Sequence, residues 1–187
     1  MNRIETVIQD ILAKKYFATR IFEGTTVDNG ELDEWERSNG YKLPSDYRQF
    51  MQSIGRCNLN GIGKFDHDYS VRIMTLAEVQ SFSISAFGHQ MDEIPESWFA
   101  FADAQDGNFI VMDLKSLNDD TVNIIDGCWE CARSGPPIIA KSFTEFVEHS
   151  LIDSQTSSGW GDVARGIRYW STPGCYYGDT PTPHGRD

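Results

Sequence analysis

The sequence predicts an α+β fold in which an antiparallel or mixed central sheet is flanked by N-terminal and C-terminal helices. Three observations predict it. Helical periodicity fills the first third of the chain, short strand-like runs separated by turn signals fill the middle, and one more helical segment follows them. The order of helices, then strands, then a helix lacks the alternation that a parallel sheet requires.

Each element has its own signal. Ile4, Val7, Ile8, Ile11 and Leu12 recur at i, i+3, i+4, i+7 and i+8, which lays them on one face of a helix that fades near Phe17. Asp28 or Asn29 can cap a second helix holding Leu32 and Trp35, and Gly40 ends it in the left-handed conformation that glycine adopts cheaply. Leu43 and Pro44 open a third, because proline is tolerated in a first turn. Its apolar face is Tyr47, Phe50, Met51 and Ile54, and Gly55 closes it. Strand-type runs then follow at Tyr69–Ile73, Trp98–Ala102, Asn108–Asp113 and Thr121–Asp126. Thr75 and Glu78 have capping-box spacing for a short helix, and Asp106-Gly107 signals a hairpin. A second capping box, Ser142 with Glu145, opens a last helix whose inner face is Phe143, Phe146, Val147 and Leu151.

Three regions emerge. Residues 1–27 form an amphipathic helix and loop packed on the domain, and 28–152 form the α+β domain itself. Residues 153–187 are an extension rich in Gly, Ser, Thr and Pro, with scattered aromatics. At 187 residues with 40% hydrophobic content, the chain can build a core without metal or disulfides. The first residues show no apolar run of signal-peptide type and no stretch approaches membrane-spanning length, so a cytoplasmic protein is expected. Its four cysteines are then expected to be free thiols.

Some of these stretches are similar to a known family. LDEWERSNGYKLPSDYRQFM (Leu32 to Met51) resembles the signature of the SUKH superfamily: an acidic helix, a glycine, Leu-Pro, then a helix beginning with an acidic residue and a tyrosine. FAFADAQDGNF (Phe99 to Phe109) and AKSFTEFV (Ala140 to Val147) also look like the family, so the likeness covers roughly residues 28–151. The resemblance implies an α+β fold and no catalytic constellation. It also implies one of two roles. Many bacterial members look like immunity proteins that neutralise a cognate toxin, and eukaryotic relatives include a fungal regulator of cell-wall synthesis, which points to a scaffold or adaptor. The motif residues read as structural on their own chemistry. Leu43 and Tyr47 lie on apolar faces, and Gly40 and Pro44 shape helix boundaries.

Candidate chemistry is sparse. Cys128 and Cys131 form a CxxC, but a structural zinc needs a second ligand pair, and Cys57 and Cys175 stand alone without a neighbouring His. A redox pair favours a helix N-terminus, whereas Asp126-Gly127 places a turn before this one. Asp66, His67 and Asp68 could ligate a metal, yet in an extended chain His67 points away from both aspartates. There is no phosphate loop, nucleophile elbow or HExxH. The sequence therefore predicts no enzyme, no cofactor, no metal and no small-molecule substrate.

Charge is more informative. With 28 acidic and 16 basic residues the net charge is −12, which repels phosphate backbones and anionic lipid and excludes nucleic acid and membrane as partners. From Asp92 to Glu130 only Lys115 is basic, and this segment carries net −9. Such a field favours a basic protein partner, and nuclease toxins are basic because they bind phosphate. The candidate partner-binding residues are Asp103, Asp106, Asp113, Asp119, Asp120, Asp126 and Glu130, with Trp160 and Trp170 of the extension as aromatic anchors. The resulting expectation is an immunity protein for a basic, nuclease-type toxin.

Overall fold

A computed structural model describes residues 2–13, 19–62, 68–79, 95–103, 109–126 and 138–155. Among the described residues, four helices, α1 (Arg3–Leu12), α2 (Asn29–Asn39), α3 (Ser45–Ser53) and α4 (Phe143–Gln155), and a short helical segment at 76–79 accompany a seven-stranded sheet. Its strands are β1 (Thr19–Ile21), β2 (Cys57–Ile62), β3 (Asp68–Ile73), β4 (Trp98–Asp103), β5 (Phe109–Asn118), β6 (Thr121–Asp126) and β7 (Ile138–Ala140). The sheet runs β1 to β7 in chain order and every neighbouring pair is antiparallel, so the predicted α+β class is the one observed.

The helix boundaries follow their local chemistry. The Asp28 carboxylate accepts from the Glu31 N–H at 2.9 Å while the Glu31 side chain accepts from the Asp28 N–H at 3.1 Å, satisfying two donors that a helix N-terminus leaves open. Gly40 ends α2 at φ 74°. Pro44 precedes α3, and Gly55 follows it at φ 70°. At the predicted short helix after Thr75, helical at residues 76–79, the Thr75 hydroxyl accepts from the Glu78 N–H at 3.2 Å and the Glu78 carboxylate accepts from the Thr75 N–H at 2.8 Å. At α4, Ser142 caps the Glu145 N–H at 3.1 Å, but Glu145 reaches back one residue further, to the Lys141 N–H. One expectation changes at α1. It ends at Leu12, so that residue has no further turn to pack beneath and is 48% exposed.

Alternation divides the sheet into two faces. Leu59, Val71, Ile73, Phe99, Ile110, Met112, Val122 and Ile124 are buried with Ile4, Val7, Ile8 and Ile11 of α1, Leu32 of α2, and the apolar faces of α3 and α4. Aromatic rings hold this interface together. Tyr47 meets Phe99, Phe101 and Phe143 edge-on at 5.8, 6.2 and 5.1 Å, and Phe143 meets Phe50 at 5.1 Å. Pairs of this kind add about 0.5–1.5 kcal/mol each beyond the area they bury. A bulge in β4, where Ala100 pairs with Val111 and Ala102 with Ile110, leaves Phe101 unpaired and puts both Phe101 and Ala102 into the core. The register is also interrupted between Asp113 and Asn118 of β5. There the Ser116 hydroxyl donates to the Asp113 carbonyl at 2.7 Å and accepts from the Asn123 N–H at 2.8 Å, replacing lost ladder bonds.

Gly55 is under two constraints at once. Its φ is +70°, and a Cβ there would lie 2.4 Å from the Thr25 carbonyl oxygen, because the chain from Phe22 to Val27 folds tightly over the end of α3. Gly40 has a similar φ but open space around it. Gly40→Ala should cost about 1 kcal/mol from backbone strain alone, and Gly55→Ala at least about 2 kcal/mol more, measured by urea unfolding. Equal costs would show that Thr25 yields freely. Tyr47 gives a second test. It is fully buried, and its hydroxyl has no hydrogen-bond partner among the described residues. Tyr47→Phe should therefore leave stability unchanged or raise it by about 1 kcal/mol, whereas a loss above about 1 kcal/mol would mean that the hydroxyl is satisfied in solution.

Candidate protein-interaction surface

The candidate acidic residues fall at different places on the sheet. Asp103 ends β4, opposite Phe109, and Asp126 ends β6, opposite Ile110, so these two lie at one end. Asp119 and Asp120 form the two-residue turn joining β5 to β6 at the other end, where Asn118 pairs with Thr121. Six residues of β6 separate the two ends, roughly 17 Å at strand rise. Asp113 lies between them, opposite Trp98. Asp106, Glu130, Trp160 and Trp170 lie outside the described residues, as do the Cys128–Cys131 pair, Cys175, Asp66 and His67.

Local contacts separate these carboxylates further. Asp103 is ion-paired to Arg72 of β3 at 2.8 Å and is largely covered. Asp113 accepts from the Ser97 hydroxyl at 2.8 Å and from the Lys115 N–H at 3.2 Å. Asp119 is exposed and takes φ 52°, a left-handed conformation that aspartate tolerates better than most residues. Asp120 is exposed and accepts from the Ser45 hydroxyl at the start of α3. Among the described candidates, the β5–β6 turn thus presents its two carboxylates to solvent without a cation beside them.

A second acidic run spans Asp28 to Glu36, and three of its five carboxylates have cation partners. Arg48 of α3 reaches Asp33 at 2.7 Å and Glu36 at 2.9 Å, Arg37 pairs with Glu34, and Lys42 pairs with Glu36. Glu36 is 5% exposed and also accepts from the Leu43 N–H at 3.0 Å. Burial works against its charge, yet the hydrogen bonds from Lys42, Leu43 and Arg48 outweigh it and hold its carboxyl below the usual range. Its role is to fasten the α2–α3 connection.

Asp46 is the other buried carboxylate, 6% exposed. One oxygen accepts from the Tyr47 N–H at 2.8 Å, and the other accepts from both the N–H and the hydroxyl of Thr144, each at 2.8 Å. It therefore caps the first turn of α4 from α3. Burial raises its carboxyl above the usual range, the bonds from Thr144 and Tyr47 oppose the rise, and the nearby Asp120 charge adds to it.

The sheet face turned away from the helices has a different character at β1–β3. Register aligns Arg20, Asn58 and Arg72 across these strands, and the guanidiniums of Arg20 and Arg56 lie over the Phe22 ring at 5.0 and 4.6 Å. Glu78 and Asp103 pair with Arg56 and Arg72, so two of these three cations are balanced within the face. That is an internal arrangement, and its cause was hidden in the sequence because Arg72 and Asp103 are 31 residues apart.

Beyond β3, the same face continues as an apolar strip of Ala100, Val111 and Ile125. Among the described residues no three His, Cys, Asp or Glu side chains converge to hold a metal, and Cys57 is a buried free thiol whose ionisation burial opposes. No helix among them is long and apolar enough to cross a membrane.

An antiparallel sheet with helices packed against it fits the α+β fold, with a mixed or antiparallel sheet flanked by helices, that the family resemblance implies. Comparison with family models settles it: residues 26–149 match the SMI1 / KNR4 family (SUKH-1). The chain belongs to that family. Comparison with curated proteins gives no match. Within this SUKH-1 domain, the signature residues Leu43, Asp46, Tyr47, Phe143 and Phe146 are all buried, so they build the fold and leave partner choice to the surface.

The two buried carboxylates should move stability with pH in opposite directions. Glu36 is depressed in the folded state, so its contribution is present above the ordinary carboxylate range and is lost as pH falls through its folded value. Asp46 is raised, so the folded state holds its proton more tightly and its contribution is lost as pH rises through that window. Between about pH 5 and pH 2, Glu36→Gln should lose stability less steeply than the parent and Asp46→Asn more steeply, measured by urea midpoints across pH. The reverse order would contradict both assignments.

Proposed function

We propose that this protein is an immunity protein that acts in the cytoplasm, binding a cognate bacterial toxin of basic, nuclease type and blocking its active cleft, with no chemistry of its own. Membership of SUKH-1 carries the reading, since members are generally non-catalytic immunity or regulatory proteins. The surface chemistry supports it. A net charge of −12 attracts a basic partner, and the exposed Asp119–Asp120 turn offers carboxylates that no neighbouring cation neutralises. In this reading Asp106, Asp126 and Glu130 extend the acidic surface, and Trp160 and Trp170 serve as anchors. Asp103, paired with Arg72, contributes little to long-range attraction, whereas Asp113 keeps its charge beside the Ser97 hydroxyl.

The test is binding kinetics against a cognate toxin domain, at two salt concentrations. Replacing Asp119, Asp120 and Asp126 by Asn and Glu130 by Gln should slow association at low salt several-fold and flatten its salt dependence, with less change in dissociation. Truncation after Asp153 should accelerate dissociation if the aromatic extension holds the anchors. Wild-type association by the amide variant at low salt would reduce the acidic surface to a solubility device. Failure of the intact protein to bind the toxin or to protect a co-expressing cell would favour the scaffold role instead.

A further inference from the structure

We draw no further inference here: the strongest candidate, the apolar strip of Ala100, Val111 and Ile125 flanked by Trp98, Phe109 and Ile138 on the face of β4–β7 opposite the described helices, carries nothing because nothing among the described residues shows what covers it.

Discussion

The carboxylate of Asp46 joins parts of the chain that are 98 residues apart, and the helical layer depends on that junction. Thr144 lies in the first turn of α4, where backbone N–H groups have no partner inside the helix. Asp46 supplies that partner from the start of α3, and in doing so sets the two helix N-termini side by side. Tyr47 follows immediately and is thereby aimed at Phe143, the residue before Thr144. The remaining rings, Phe50, Phe101 and Phe146, interlock around this pair. A charge held this deep is unfavourable by itself, which is why burial raises its carboxyl. Three hydrogen bonds make the arrangement tolerable, and they require one relative placement of the helices.

Glu36 performs the complementary task at the other end of the signature segment. It gathers Lys42, the Leu43 N–H and Arg48, so the turn between α2 and α3 is fixed by a single buried carboxylate. The acidic residues of the signature therefore serve architecture, and the basic residues near them are consumed in doing so. Among the described residues, Arg48, Arg56 and Arg72 are paired with carboxylates, while the β5–β6 turn carries Asp119 and Asp120 on its exposed surface.

Much of this fold was legible in the sequence, and the exceptions have physical causes. The four helices declared themselves through apolar spacing and caps, because Asp28, Gly40, Gly55 and Ser142 act within one turn of their own position. β3 to β6 were visible through alternation and turn residues. β1 and β7 are three residues each, too short to show a period, and β2 contains Asn60-Gly61, which reads as a turn although both residues pair with β3. Polar Lys115, Ser116 and Asn118 hid the second half of β5.

The candidate site was less legible. Counting charge along the chain finds an acidic segment, but counting cannot show that antiparallel pairing sends Asp103 and Asp119 to opposite ends of the sheet. Nor can it reveal that Arg72 neutralises Asp103, since β3 contributes that arginine from a distant part of the sequence. The most direct measurement of the central claim is a double-mutant cycle between Asp46→Ala and Thr144→Val, followed by urea unfolding. If the two residues form the junction described, their destabilisations should fall short of additive by at least about 1 kcal/mol. Additivity within about 0.3 kcal/mol would contradict it.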